Sequence, residues 1–139
     1  MRPCKRTMAG FTLIEVMVVV AIIGILAAVA WHYYEQESMK NRRTQAISAL
    51  TRIANELQDW HADKMTYVGY TISPSVTNSL TSYTVTALNL AAATYSVTLT
   101  ASGSQANDAD CTSLSIDNLG VKSYTGSAPS ALRCWSTTN

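Results

Sequence analysis

A 21-residue apolar run, from Phe11 to Trp31, constrains this chain more than any other feature, and its only polar members are Thr12 and Glu15. At about 1.5 Å per residue, a helix of this length spans roughly 31 Å, close to the hydrocarbon thickness of a bilayer. An acidic residue at that depth costs roughly 2.5–3.5 kcal/mol. We therefore predict that Glu15 has a function and a partner of opposite charge. The alternative is a carboxylate that merely reaches toward the lipid headgroups.

A short basic leader precedes the run. It contains Arg2, Lys5 and Arg6 and no acidic residue, so the positive-inside rule leaves the first ten residues in the cytoplasm and the rest of the chain outside. A secretory signal peptide has a shorter apolar core followed by small residues at a cleavage site, whereas this run continues into an amphipathic pattern. We therefore expect the run to stay as an anchor.

The string Gly10-Phe11-Thr12-Leu13-Ile14-Glu15, followed by the apolar run, resembles the N-terminal signature of type IV pilins. The resemblance implies that a prepilin peptidase cuts between Gly10 and Phe11 and methylates the new amino group of Phe11. It also implies that Glu15 neutralises the N-terminal ammonium of a neighbouring subunit during filament assembly. Two unpaired charges in an apolar core are costly, and pairing them removes most of that free-energy cost only when the subunits are in the correct axial register. Glu15 would therefore set that register.

The cysteine count fits this cut. Of three cysteines, Cys4 lies in the leader, so the processed chain keeps Cys111 and Cys134, both in the part expected to face an oxidising compartment. A disulfide between them would contribute about 3 kcal/mol in the chain-entropy model. Metal ligation is the alternative, but two thiols with no nearby histidine make a poor zinc site. We predict a disulfide, with no metal and no cofactor.

An apolar stripe continues the helical pattern beyond the run. Its members recur at helical spacing: Met39, Ala46, Leu50, Ile53, Leu57 and Trp60. The pattern predicts one helix from Phe11 to about Asp63, with its second half covered on one face. After a predicted loop at 67–78, alternating apolar and polar residues indicate strands at 83–87, 95–101 and 114–117, and a short strand at 121–124 follows a turn.

This order of elements resembles the type IV pilin fold along the whole chain, and its C-terminal part is similar to minor pilins of the PilE kind. We predict an α+β chain in which a long N-terminal helix packs on a small antiparallel sheet of three to four strands, with a C-terminal disulfide. The predicted divisions are a leader (1–10), a transmembrane or filament-core helix (11–31), the amphipathic half of that helix (32–63) and a globular region (64–139). Because His32 stands where many pilins have a bending proline, any kink should be weaker or lie elsewhere.

Charge gives little reason to expect nucleic acid. The full chain has 10 basic and 9 acidic residues, and loss of the leader leaves 7 against 9. A basic cluster remains at Lys40, Arg42 and Arg43. We interpret it as a solvated helix face or a contact to neighbouring subunits, with DNA or anionic lipid as the alternative partner.

No catalytic constellation is visible, so we predict that the chain is not an enzyme. His32 and His61 lie 29 residues apart on one predicted helix. That separation is more than about 40 Å along its axis, so they cannot share a site. Asp108, Asp110 and Asp117 could suggest calcium but lack the regular spacing of a calcium loop, so we interpret them as marking a polar loop before Cys111.

The resemblance implies a structural subunit, of the minor kind, of a type IV pilus. Such a subunit stands in the inner membrane with a periplasmic head. An assembly platform then adds it, with other pilin subunits, to an extracellular filament for motility, adhesion or DNA uptake. The alternatives are a pseudopilin of a type II secretion system and a pilus-mounted adhesin or DNA-binding subunit, with Tyr124, Arg133 and Trp135 as a contact patch.

Overall fold

The computed structural model describes residues 10–136, apart from the side chain of His32. Nearly all of the predicted leader, including Cys4, lies outside the described residues. The chain divides into two compact units, with the boundary between Glu37 and Ser38. We call the second unit the head.

One helix, α1 (Leu13–Lys64), provides the N-terminal element and runs through both units. The prediction of a helix from Phe11 to about Asp63 is therefore confirmed to within two residues. Its backbone is helical through position 32, where no proline interrupts the hydrogen bonding. Within the described residues, α1 alone is long and apolar enough to cross a membrane.

The head contains a four-stranded antiparallel sheet in the order β1-β2-β3-β4. The strands are β1 (Tyr83–Leu90), β2 (Tyr95–Ala101), β3 (Ser113–Asp117) and β4 (Lys122–Thr125). The predicted fold class is confirmed, including the C-terminal disulfide. Three short elements were not predicted: α2 (Pro74–Thr77), a 3₁₀ helix (Gly103–Asn107) and α3 (Ala131–Trp135).

The core forms where the apolar stripe of α1 meets the inner face of the sheet. Leu50, Ile53 and Leu57 have no exposed surface, and Ala46 is almost fully buried, as the stripe predicts. Their partners in the buried cluster include Val97, Leu99 and Leu114 from the sheet. Because each buried aliphatic side chain contributes about 1.5–3 kcal/mol, this layer is the main source of cohesion in the head.

A β-bulge in β1 changes the predicted alternation. The register with β2 shifts between Val85 and Ala87, so Ala87 pairs with Thr98 on the outer face while Leu88 pairs with the buried Val97. The sequence pattern placed Ala87 on the same face as Val85, which was wrong. A bulge depends on how two strands pair, so the alternation of apolar and polar residues along one strand does not reveal it.

The connection from α1 to β1 is tied to the helix by Glu56. Its carboxylate accepts hydrogen bonds from the hydroxyls of Tyr70 at 2.7 Å and Ser73 at 3.2 Å, and it pairs with Arg52 at 3.3 Å. Burial alone raises the pKa of Glu56, but these hydroxyl and guanidinium partners outweigh burial and lower the pKa below its ordinary value of 4.5. The charged form of Glu56 is therefore favoured by folding.

We expect the free energy of unfolding to depend on pH through Glu56. Because folding lowers the pKa of this group, its contribution is fully present above its unfolded value, near 4.5, and is lost as the pH falls through the lower folded value. Tyr70→Phe should cost about 1 kcal/mol at neutral pH, less in acid, and should flatten the pH dependence. Chemical unfolding of the detergent-solubilised chain, followed by tryptophan fluorescence, measures both effects.

Tyr67→Phe is the matched control, because the Tyr67 hydroxyl donates to the neutral side chain of Gln58 at 3.3 Å. Its cost should not change between neutral and acid pH. Equal pH profiles for the two variants would contradict the assigned role of Glu56.

Candidate functional site

The first half of α1 presents an apolar surface that the described residues leave uncovered. All large apolar side chains from Leu13 to Tyr34 are half or more exposed, and Phe11, just before the helix, is 82% exposed. Monomeric soluble proteins rarely expose continuous apolar patches of more than a few hundred Å². A membrane or a set of equivalent helices must therefore cover this segment.

Glu15 lies in the first turn of α1. The Thr12 hydroxyl accepts a hydrogen bond at 3.3 Å from the Glu15 backbone N–H, one of the groups that a helix start leaves without an internal partner. The Glu15 carboxylate makes no ion pair among the described residues. The arrangement leaves that carboxylate available to a cation from outside the chain.

A second feature of interest is the long connection between β2 and β3, residues 102–112, which contains the 3₁₀ helix. Gln105 anchors it and has no exposed surface. Its Nε2 donates to Asp108 at 2.8 Å, to the Met39 carbonyl at 3.3 Å and to the Tyr83 hydroxyl at 3.4 Å. We call residues 102–112 the latched loop.

Arg43 and Asp108 form the ion pair that completes this latch. The guanidinium donates through Nε and Nη2 to the two carboxylate oxygens, and the side chains are only 13% and 2% exposed. Burial alone lowers the pKa of Arg43, but the hydrogen bond and the charge of Asp108 outweigh it and raise that pKa. The latch therefore joins α1 to a loop 65 residues away. The sequence prediction did not identify the latch and treated Arg43 as a surface cation.

The C-terminal segment is fixed to the other side of the latched loop. Cys111 and Cys134 form the disulfide, with Cα atoms 5.7 Å apart. Backbone N–H groups of Ser127 and Ala128 donate to carbonyls of the loop at 2.9 and 3.1 Å. Gly126 has φ +138°, and a Cβ there would lie 2.2 Å from the Asp110 carbonyl oxygen, so no other residue fits.

The contact patch considered for the C-terminus is largely occupied by internal bonds. Trp135 is buried and its Nε1 donates to the Ser123 carbonyl at 3.1 Å, while the Tyr124 hydroxyl donates to the Ala128 carbonyl at 2.9 Å. Arg133 alone stays largely accessible, with its side chain 59% exposed and its Nε 3.1 Å from Asp110. An aromatic platform for a ligand is therefore not formed by these residues.

Each of the three aspartates considered for calcium has a protein partner. Asp108 pairs with Arg43, and Asp110 pairs with Arg133. Asp117 accepts the backbone N–H groups of Leu119 and Val121, both at 2.9 Å, and so shapes the turn between β3 and β4. Within residues 10–136, no group of three or more candidate ligands could hold a metal ion.

Two protein families match the chain. Residues 33–115 match the family described as type IV minor pilin ComP, DNA uptake sequence receptor, and this match spans 83 of the 139 residues. Residues 5–31 match the prokaryotic N-terminal methylation motif. The first match includes the latched loop, and the second includes Gly10, Phe11 and Glu15.

Curated relatives are fimbrial proteins. The chain is 37% identical to the fimbrial protein EcpC of Eikenella corrodens over 60 residues, 43% of this chain and 39% of that protein. It is 40% identical to the type IV major fimbrial protein FimA of Dichelobacter nodosus over 73 residues, 50% of this chain and 47% of that protein. The matched segment thus spans less than half of each of these relatives.

A solved structure shows the same fold. The non-core minor pilin PilV of Neisseria meningitidis superposes with a TM-score of 0.53 over 68% of this chain and 94% of that one, at 14% sequence identity. The superposed region is longer than the N-terminal helix, so the similarity of fold is not confined to that helix.

The buried latch is expected to contribute strongly to head stability. Asp108→Asn leaves the guanidinium of Arg43 largely buried without a counter-charge, so we expect a loss of about 3 kcal/mol in the free energy of unfolding. Arg133→Gln removes a mostly exposed ion pair and should cost no more than about 0.5 kcal/mol. Urea unfolding with the disulfide intact compares the two variants, and a loss for Asp108→Asn as small as that expected for Arg133→Gln would show that the latch is not a stabilising element.

Proposed function

Because the chain belongs to the type IV minor pilin ComP family, we propose that it is a minor pilus subunit that stands in the inner membrane before it enters the filament. Residues 11–31 would lie in the bilayer and then in the filament core, residues 32–63 would carry the head, and residues 64–139 would complete it. The observation that carries this proposal is the uncovered apolar surface from Leu13 to Tyr34, which starts directly after a methylation motif.

Processing follows from the same motif. We propose that a prepilin peptidase removes residues 1–10 and that Phe11 becomes the N-methylated first residue. Gly10 and Phe11 are both exposed and precede the first residue of α1, so the bond between them is accessible to an enzyme at the membrane surface. The positive charges of the leader would keep that bond on the cytoplasmic side, with the head in the periplasm.

Assembly would use the charge created by this cut. The new ammonium of Phe11 and the Glu15 carboxylate of a neighbouring subunit are each costly in an apolar core, and pairing them offsets most of that cost. The Glu15 carboxylate has no ion-pair partner among the described residues, which supports a partner on another subunit. The inner-membrane assembly platform would supply subunits in the order that allows this pairing.

The family description favours DNA uptake over motility or adhesion as the role of the filament, because it names a DNA uptake sequence receptor. A structural role fits a minor pilin, and the proposed function includes no catalytic step. A pseudopilin of a type II secretion system shares the N-terminal motif and is the competing proposal. Loss of DNA uptake on deletion supports the pilus role, whereas a secretion defect with normal pili supports the pseudopilin.

The N-terminus of the filament-borne chain tests processing. Mass spectrometry of sheared surface filaments should find a chain of 129 residues (139 minus 10) beginning with methylated Phe11, at low abundance relative to the main subunit. Absence from filaments together with a processed form in the membrane would point to the pseudopilin. Abundance equal to the main subunit would contradict a minor role.

Glu15→Ala tests the register role. We expect normal membrane insertion, leader removal and disulfide formation, but at least a roughly tenfold loss of incorporation into filaments, because about 1.4 kcal/mol of lost pairing energy already gives that factor. Glu15→Asp keeps the charge and should retain part of the incorporation. Immunoblots of sheared filaments and membranes measure the ratio, and normal incorporation of the Ala variant would remove the proposed role.

A further inference from the structure

Exposed tyrosine and tryptophan rings are concentrated in one short stretch of α1. Trp31, Tyr33 and Tyr34 are 68%, 71% and 70% exposed. The tyrosine and tryptophan side chains of the head are all buried or half-buried, and they are Trp60, Tyr67, Tyr70, Tyr83, Tyr95, Tyr124 and Trp135. Exposure of such rings is therefore confined to the stretch just before the head. We call Trp31, Tyr33 and Tyr34 the aromatic belt.

The aromatic belt lies where the apolar part of α1 ends. Residues 16–34 include no Asp, Glu, Lys or Arg, and Glu35 and Glu37 follow directly after the belt. At about 1.5 Å per residue, the helical distance from Phe11 to Trp31 is about 30 Å, which is the thickness of the hydrocarbon layer of a bilayer. If Phe11 lies at the cytoplasmic boundary of this layer, the belt lies at the periplasmic boundary.

The polar tips of the belt have no partner within the described part of the chain. The indole N–H of Trp31 and the hydroxyls of Tyr33 and Tyr34 form no hydrogen bond among residues 10–136. Tryptophan and tyrosine combine a large apolar ring with one polar group, so they are enriched at the level of the lipid headgroups. There the ring contacts acyl chains while the polar group bonds to water or to the headgroup region. The chemistry of the belt therefore fits a bilayer boundary.

The belt surrounds α1 instead of marking one stripe. Successive residues of an α-helix are rotated by about 100°, so Trp31 and Tyr33 lie on nearly opposite sides, and Tyr34 lies beside Trp31. A single neighbouring helix packs along one stripe, so it would cover Trp31 and Tyr34 and leave Tyr33 uncovered. A lipid layer contacts a helix on all sides. The arrangement therefore favours lipid over one packed helix as the partner.

We propose that the aromatic belt binds the periplasmic headgroup layer of the inner membrane and fixes the depth at which α1 crosses the bilayer before assembly. This inference rests on the proposed membrane-inserted state and adds to it the side chains that hold the helix at one depth. The partner is a phospholipid surface of any headgroup charge, because the belt itself carries no charge.

The belt would also determine the depth of Glu15. This residue lies 16 residues before Trp31 and 19 before Tyr34. At about 1.5 Å per residue the separation is roughly 24–29 Å, so in a hydrocarbon layer about 30 Å thick the carboxylate lies just inside the cytoplasmic boundary. A slide of α1 toward the cytoplasm would bring Glu15 into the headgroup layer, where its charge costs less. The belt therefore opposes a movement that the acidic residue favours.

Quenching of Trp31 fluorescence tests where the belt lies. The full chain with its leader is reconstituted into phosphatidylcholine vesicles whose acyl chains carry bromine either near the glycerol or near the chain end. We expect stronger quenching by bromine near the glycerol. W31F should abolish this difference, because the other two tryptophans, Trp60 and Trp135, belong to the head. Stronger quenching by bromine near the chain end would place the belt within the hydrocarbon and overturn the proposal.

Y33L/Y34L tests whether the tyrosines set the depth. Leucine keeps an apolar side chain but removes the hydroxyl, so Trp31 should move toward the bilayer centre by about 3 Å, the rise of two residues at about 1.5 Å each. The matched control V19L/V20L changes two side chains in the middle of the apolar run and should leave the depth of Trp31 unchanged. Equal depths in the wild type and Y33L/Y34L would overturn the role of the tyrosines in positioning α1.

Further outcomes separate the belt from the proposed function and from another occupant. A chain that alkaline buffer extracts from the vesicles would overturn the membrane-inserted state together with the belt. An inserted chain whose Trp31 is quenched by neither lipid would overturn the belt alone. Quenching that appears only after the chain is strongly diluted in lipid would show that other copies cover the rings. The belt would then be a contact between subunits, and the lipid assignment would be wrong.

Discussion

Burial of one face of α1 beneath the sheet is the interaction on which the rest of the head depends. Leu50, Ile53 and Leu57 are completely buried in one cluster with the inner residues of β2 and β3. The first half of the same helix has no such cover within the described residues. The apolar face of the second half of α1 is therefore buried within the chain, whereas the first half needs a membrane or other subunits to cover it. This division is the physical basis for a subunit that changes environment.

The latched loop and the C-terminal segment use this layer as their support. The Arg43–Asp108 pair fixes the loop to α1, and the disulfide with the hydrogen bonds around Gly126 fixes the C-terminal segment to the loop. Two aspartates and the side-chain nitrogen of Gln105 are engaged in bonds within this region. What remains accessible at this end is a small set of arginines and neutral polar side chains on a backbone with little freedom.

Local patterns sufficed to predict the helix, the four strands and the disulfide, because those features repeat within short stretches or depend on counting cysteines. The stripe of Ala46, Leu50, Ile53 and Leu57 is one example. The bulge at Ala87 and the bonds of Gln105 could not be predicted in this way, because each depends on a partner in another element. A buried glutamine in a polar loop gives no periodic signal.

Net charge also averages over charges that are already paired within the chain. The processed chain has more acidic than basic residues, and that balance argued against nucleic acid. However, Asp108 and Asp110 are paired with arginines, and Glu56 is paired with Arg52. A charged partner responds mainly to the charges within about one Debye length, 8–10 Å, and is largely screened from those farther away. The local balance of charges, rather than the chain average, therefore decides what a given surface attracts.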